Sequence, residues 1–514
     1  MLSFIVRRAA ATLMVLLVAS FIVYQLTAIS GDPLLELRGS RDPDIQFKIQ
    51  YLTEILQLDV PPFIRYFYWL GGAAGCLIGQ CDLGISVSRG EIPVTEALSG
   101  AIASTVQLIT LATILSIVIG VAIGMTTALR QYSGYDYTVT FFAFIFYSLP
   151  IFWVAVLLKE FGAIQFNRFL EEPYIPPGAM TVIALVLAVA VSGIVGGGLK
   201  TRVQSFIGGA VLSVVVMIFL NLTQWLKYPA LGVPGIILMT LLVASVVLVL
   251  SIGFNQRRGL IIVLGMALVA AAMWLPGQYL FFYMQGPLGI LLIVVIMAAI
   301  GVLLGIIFGG DGRKEISRAA GITGAFAGLI MAIDEALQYW SEYLSLIPLK
   351  NGYISTIGAV TPAIKRQENM WLSLIDSYAH LILPTAALLI ISVAGYTRYS
   401  RASLLEVMNQ DYVRTARAKG LNERTVVVRH AMRNALLPIA TIVPVDITAL
   451  IGGAVITEQV FAWAGMGALF IRGLNAVDVN LVMGYVMIVG LMAVIGNVIA
   501  DLLYSALDPR IRIS

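Results

Sequence analysis

Three stretches of this chain contain almost no charge. Residues 173–199 carry no Asp, Glu, Lys or Arg, residues 203–256 carry only Lys227, and residues 259–310 again carry none. A water-facing domain cannot accommodate such runs, because its surface must present polar groups. Uninterrupted apolar runs of this length are the signature of helices that cross a bilayer. Composition agrees: 12% of the 514 residues are charged and 59% are hydrophobic, against ~25% charged in an ordinary soluble domain. A soluble enzyme, a nucleic-acid binder and a disordered scaffold are excluded. A net charge of +4, scattered along the chain, gives no basic field for a nucleic acid.

A helix needs ~20 apolar residues to cross the ~30 Å hydrocarbon core. Segments near 9–29, 101–129, 138–158, 179–198, 205–226, 231–254, 259–277, 287–309, 318–340, 381–400, 437–457 and 481–505 satisfy that need, which predicts an all-α integral membrane protein of about twelve spans. The weakest is 318–340, whose apolar run stops at Asp334 and Glu335. Lys159 with Glu160 marks another span end, and Asp501 lies near the end of the last. Arg7, Arg8, Arg130, Lys200, Arg202, Arg257, Arg258, Arg313, Lys314, Arg318, Arg510 and Arg512 fall on one side when the crossings alternate. By the positive-inside rule that side is the cytoplasm, so both termini are expected there. Residues 1–29 read as a retained span, since no small-residue cleavage site precedes Gly31-Asp32-Pro33.

Two hydrophilic islands interrupt the spans, residues 31–96 outside and 401–436 inside. Cys76 and Cys81 both lie in the outer island. They form either a small disulfide loop in an oxidising compartment or two free thiols. His380 and His430 lie far apart and read as structural, so no metal site is expected from these residue types.

The inner island carries the chemistry. Between 398 and 433 it holds Arg398, Arg401, Arg414, Arg417, Lys419, Arg424, Arg429 and Arg433 against Glu406, Asp411 and Glu423. Asp411 fits an N-cap for a short helix over 412–419. Gly420 fits the left-handed position that ends it, and a second amphipathic helix is expected over 422–434. The small Ala416 and Ala418 would let a partner approach the backbone. A basic loop that merely obeys the positive-inside rule would explain the charge. It would not explain a helix, a glycine break and a second helix.

The stretch Asp411-Tyr412-Val413-Arg414-Thr415-Ala416-Arg417-Ala418-Lys419-Gly420-Leu421 resembles the coupling loop of ABC importer permeases, in the version of the B-type subunit of the dipeptide/oligopeptide family. Arg414-Thr415-Ala416 occupies the place of that motif's Glu-Ala-Ala, and Gly420 is its glycine. Other segments resemble the family in order: the first span through Gly31-Asp32-Pro33; Asp82-Leu83-Gly84-Ile85-Ser86 with Pro93-Val94; Ser148-Leu149-Pro150-Ile151-Phe152-Trp153; Glu458-Gln459-Val460-Phe461-Ala462-Trp463-Ala464-Gly465-Met466-Gly467, with Ala464 in place of a proline; and Asp508-Pro509-Arg510-Ile511-Arg512. The resemblance covers about 1–160 and 370–514. It implies a six-span core made of a first span (1–30), an extracytoplasmic region (31–100), spans two and three (101–160) and the C-terminal spans with the coupling loop 401–436 (370–514). Roughly 165–345 would be an insert of about six further spans, whose role the sequence does not assign.

The resemblance also implies a non-catalytic subunit of a bacterial or archaeal cytoplasmic-membrane importer of peptides or a similar small solute. Its partners would be a second homologous permease, one or two cytoplasmic ATP-binding subunits holding ATP and Mg, and an extracytoplasmic substrate-binding protein. Residues 411–420 would dock the ATPase, and Glu458, Phe461 and Trp463 would belong to an outer gate or cap. The chain itself shows no phosphate-binding loop: Gly193-Ile194-Val195-Gly196-Gly197-Gly198-Leu199-Lys200-Thr201 has Leu199 where the Gly-Lys pair must be contiguous. Asp446 lies inside a span, where a carboxylate faces either a translocation path or a neighbouring helix. The competing reading is a stand-alone twelve-span secondary transporter, which would call for an internal repeat and several midplane charges.

Overall fold

The structure is a computed structural model that describes residues 2–39, 44–251, 256–284, 286–347, 352–365 and 369–507. The C-terminal segment Asp508–Arg512 lies outside the described residues. The described chain is built mainly from helices. Its one sheet, among the described residues, is a hairpin pairing Ile85–Ser86 with Ile92–Pro93 antiparallel. It is a multi-span membrane protein.

Each of the twelve apolar segments is helical, the third as two helices. Among the described residues, eight helices are long and apolar enough to cross a membrane. The apolar stretches Pro177–Gly193 and Gly232–Leu248 are shorter, while the first segment lies in the 28-residue helix Leu2–Ile29. The segment expected as a third span is instead a pair, Gly134–Ser148 and Ile151–Glu171, bent by 98°. The cause is Pro150, whose ring forces Leu149 into an extended conformation (φ −77°, ψ 131°) and breaks the helix there. Counting that pair as one gives up to nine such helices by length and composition among the described residues.

The chain divides into two compact units. The first comprises residues 1–162, 356–359 and 381–514, and the second 163–355 and 360–380. Within the second unit, the helix Arg313–Gln338 overturns its standing as the weakest segment, for it is the most buried of the eight. Its modest hydropathy reflects protein neighbours rather than lipid. It lies close against Pro287–Phe308, and a Cβ on Gly324 would collide with the backbone of Met297 and Ala298. Small residues are how helices approach closely where lipid supplies no hydrophobic drive. Asp334 does not end this helix. Its carboxylate accepts from the Gly232 amide at 2.7 Å and the Trp274 indole N–H at 2.8 Å, so the charge is bonded inside the unit.

In the first unit, the expected outer island is less hydrophilic than its composition suggests. The helix Pro62–Gly75 buries Tyr66, Trp69 and Ala73 among residues that include Tyr24 of the first helix, Leu2–Ile29. The Tyr66 hydroxyl lies 2.9 Å from Ser20 Oγ and donates to the Leu17 carbonyl at 3.2 Å. Phe21 meets Phe63 and Tyr66 edge-on. The hairpin is tied to the start of the last helix, Val479–Leu507. There Asp478 accepts from Ser86 Oγ at 2.6 Å and from Ser88 Oγ at 2.9 Å and N at 3.1 Å. Cys76 and Cys81 are joined in a disulfide.

Gly324→Ala should destabilise the chain by about 1–3 kcal/mol, the cost of overpacking a filled interface. Gly265→Ala, where an added Cβ meets nothing within 4 Å, should be neutral or slightly stabilising. Thermal unfolding of the two purified variants in detergent checks this; equal melting would refute the packing argument.

Candidate functional site

The inner loop folds into a helix, a turn and a second helix. The first helix is Asp411–Ala418, one residue earlier than expected. Gln410 is the extended residue ahead of it (φ −74°, ψ 150°), so Asp411 is not the N-cap and no side chain caps that end. Asp411 sits in the first turn, where its charge suits the helix dipole, with Arg414 Nη1 3.8 Å away. Gly420 has φ +76°, the left-handed conformation that a Cβ makes costly. The second helix starts at Asn422, whose side chain accepts from the Thr425 amide at 2.8 Å. It continues through Val426–Ala431, with wider π-type turns, to Ala435.

Burial divides the first helix into two faces. Val413 and Ala416 point inward, into a cluster with Met125, Leu404, Val426 and Ala435. Asp411, Tyr412, Arg414, Thr415, Arg417, Ala418, Lys419 and Gly420 are exposed. Ala416 is therefore small to fit the loop's own packing, and Ala418 stays outward. Two side-chain bridges fix the turn that sequence reading did not find. Arg417 grips Glu423 across Gly420, Nη2 to Oε1 at 2.7 Å and Nε to Oε2 at 3.2 Å. Asn434 Nδ2 donates to the Tyr412 hydroxyl at 2.8 Å. Neither pair follows helical spacing, since both cross the glycine break, so no local pattern could have signalled them. The Arg417 guanidinium holds the Glu423 carboxyl below the usual carboxylate range.

Behind the loop, the long helix Met370–Met408 carries Arg401, which forms a bidentate pair with Asp136 at 2.8 and 3.0 Å. Asp136 is buried, and also accepts from the Tyr132 amide at 3.1 Å. Asp446, on Leu437–Ile451, accepts from the Tyr396 hydroxyl at 2.9 Å, so one of its oxygens is engaged by a neighbouring helix. That contact gives Asp446 a structural partner.

The segment proposed for the outer cap is anchored inward. Glu458 and Trp463 are fully buried and Phe461 nearly so. Glu458 accepts from Thr105 Oγ1 at 2.7 Å and from the Ala468 amide at 2.9 Å. Thr105 in turn accepts from the Met466 amide at 2.8 Å. The Trp463 indole N–H donates to the Ser104 carbonyl at 2.9 Å, and Lys159 Nζ to the Val460 carbonyl at 3.0 Å. These side chains shape the segment from inside and leave its outward surface to other residues. Residue type alone could not separate the two roles.

Two outcomes follow. The Arg417–Glu423 bridge needs ionised Glu423, whose acidity is enhanced in the folded loop, so its contribution persists above the ordinary carboxylate value of ~4.3 and fades only as pH falls through the lowered one. Amide exchange over 420–425, corrected for intrinsic rates, should show constant protection from about pH 8 to 5. Arg417→Gln should weaken it by no more than about 1 kcal/mol, the scale of an exposed pair. By contrast, Glu458→Ala should cost several kcal/mol, because each buried donor left without its acceptor costs about 1–3 kcal/mol. A monodisperse, normally melting Glu458→Ala protein would refute that.

Residues 322–513 match a family described as "Binding-protein-dependent transport system inner membrane component". Curated relatives include the "Oligopeptide transport system permease protein AppB" of Bacillus subtilis, 46% identical over 144 residues, which is 28% of this chain and 46% of that protein. The "Oligopeptide transport system permease protein OppB" of Mycobacterium bovis is 41% identical over 145 residues, 28% of this chain and 45% of the relative. The "Dipeptide transport system permease protein DppB" of Escherichia coli K12 is 44% identical over 138 residues, 27% of this chain and 41% of the relative. The chain thus spans less than half the length of each of these relatives.

Proposed function

We propose that this chain is the non-catalytic transmembrane subunit of an ATP-driven importer, forming half of a translocation pathway for peptides or a similar small solute. The observation that carries this reading is the loop at 411–435. It is a short helix packed inward through Val413 and Ala416, presenting a polar, mostly basic outer face and ending in a left-handed glycine. A loop that only obeyed a charge rule would need no inward packing and no bridged turn. The similarity to oligopeptide and dipeptide permeases supports the same reading and the peptide class.

In this reading separate cytoplasmic subunits bind ATP and Mg and seat on the exposed face of 411–420. Their closure moves the loop as a rigid body, and the attached helices switch access to the pathway. A second permease supplies the other half, and an extracytoplasmic binding protein delivers the solute. The membrane is the bacterial or archaeal cytoplasmic membrane, with both termini in the cytoplasm as the distribution of Lys and Arg directs. The stand-alone secondary transporter leaves the packed loop without a purpose.

The test is capture of the tagged chain from gently extracted membranes, comparing wild type with Gly420→Val. A β-branched residue at φ +76° carries a backbone penalty of roughly 1–2 kcal/mol and should distort the turn without touching the spans. Wild type should bring down an ATPase whose activity is coupled to transport, and the variant should lose much of both. Wild type that carries no ATPase and still transports would establish the secondary-transporter reading instead.

A further inference from the structure

Beside the Arg401–Asp136 pair lies a cavity of about 330 Å³ lined by Thr140, Ala143, Phe144, Tyr147, Gly395 and Arg398, among others. Arg398 differs from its neighbour in one respect. Arg401 is neutralised by Asp136, whereas Arg398 has no carboxylate partner among the described residues. Its guanidinium instead rests against two rings, 4.7 Å from the Phe144 centroid and 4.3 Å from the Tyr147 centroid. Aromatic faces hold a cation in place and shield it from water, but they do not cancel its charge. An uncompensated cation in a membrane helix is costly and marks a functional position by default.

The direction of the side chain excludes the simplest accommodation. Asp136 lies in the first turn of Gly134–Ser148, and Phe144 and Tyr147 lie two to three turns further along it. Arg401 reaches the Asp136 end, while Arg398 reaches the rings, so its guanidinium points away from the loop side of the membrane. The tilt of side chains toward the N-terminus of their own helix favours this direction. A snorkelling arginine would turn toward the near headgroups, which here lie at the Asp136 end.

We propose that Arg398 is an oxyanion-binding residue that engages the carboxylate of a solute entering this cavity. The planar guanidinium, oriented by Phe144 and Tyr147, offers two parallel N–H donors, the geometry that carboxylate and phosphate groups accept. The cavity falls at the small end of the ~300–1,000 Å³ range of small-molecule sites. The assignment of the anion to a transported solute rests on the importer reading above; the anion-binding role of Arg398 does not. A lipid phosphate has the same chemistry, and the test separates the two.

The test uses the complex as extracted from membranes, with phenylglyoxal as an arginine-selective probe and peptide mass spectrometry to read each site. Arg398 should react faster than ion-paired Arg401. Tri-alanine should protect Arg398 at about a tenfold lower concentration than tri-alanine amide, the scale of a charge-assisted hydrogen bond. Protection by added anionic phospholipid and by neither peptide would overturn the solute assignment in favour of lipid. Equal reactivity with and without every anion would overturn the site altogether. So would an Arg398 that reacts only after the complex is dissociated, since a partner's carboxylate would then be its counter-ion. In reconstituted vesicles Arg398→Gln should lower uptake of tri-alanine about tenfold while sparing the amide, and Arg398→Lys should restore part of the loss. Protection without any wild-type uptake would leave the anion site standing and remove the importer reading.

Discussion

Hydrocarbon offers no water to a polar group, so every donor, acceptor and charge within a span must be satisfied by the protein itself. That constraint organises this chain more than any apolar contact does. Asp334 is bonded to the Gly232 amide and the Trp274 indole, Asp136 to Arg401, Asp446 to Tyr396 and Glu458 to Thr105 and Ala468. Each of these carboxylates joins segments distant in sequence. Apolar packing between membrane helices distinguishes poorly among rotations and registers, because lipid is as apolar as leucine. A carboxylate with a fixed partner distinguishes sharply, since a helix rotated away leaves it stranded.

The same constraint separates what the sequence discloses from what it conceals. Charge-free runs locate the helices, because the cost of a charge in lipid is large and local. They do not distinguish a span from a bent or shortened helix. Pro150 bends the third segment although its flanks remain apolar. The helix 313–338 looked marginal for the reason that makes it central: its small residues and Asp334 suit protein neighbours rather than lipid. The inner loop was legible at its glycine, because φ +76° leaves a strong residue preference. It was less legible at its start, where Gln410 and Asp411 both fit an N-terminus and only backbone geometry decides. Bridges such as Arg417–Glu423 and Asn434–Tyr412 join residues across a turn, beyond any helical period. The pairing of Arg401 with Asp136 spans 265 residues, and nothing local to either residue names the other.

The part of the long helix within residues 381–408 ties these features together. It leads directly into the loop helix at Asp411, and it carries Tyr396, Thr397, Arg398 and Arg401 within two turns. Tyr396 reaches Asp446, Thr397 donates to the Gly120 carbonyl at 3.3 Å, and Arg401 reaches Asp136. Three helices of the first unit are therefore bonded to one short stretch, immediately behind the surface proposed to receive the ATPase. An α-helix transmits a displacement along its axis with little loss, because its backbone hydrogen bonds resist stretching. Moving the loop would load those three bonds. Arg398 stands among them with rings in place of a carboxylate. It is the position on that stretch whose electrostatic complement is left for something other than the described residues to supply, and a cation carried on a moving helix would present a different environment to a bound anion at each end of the stroke.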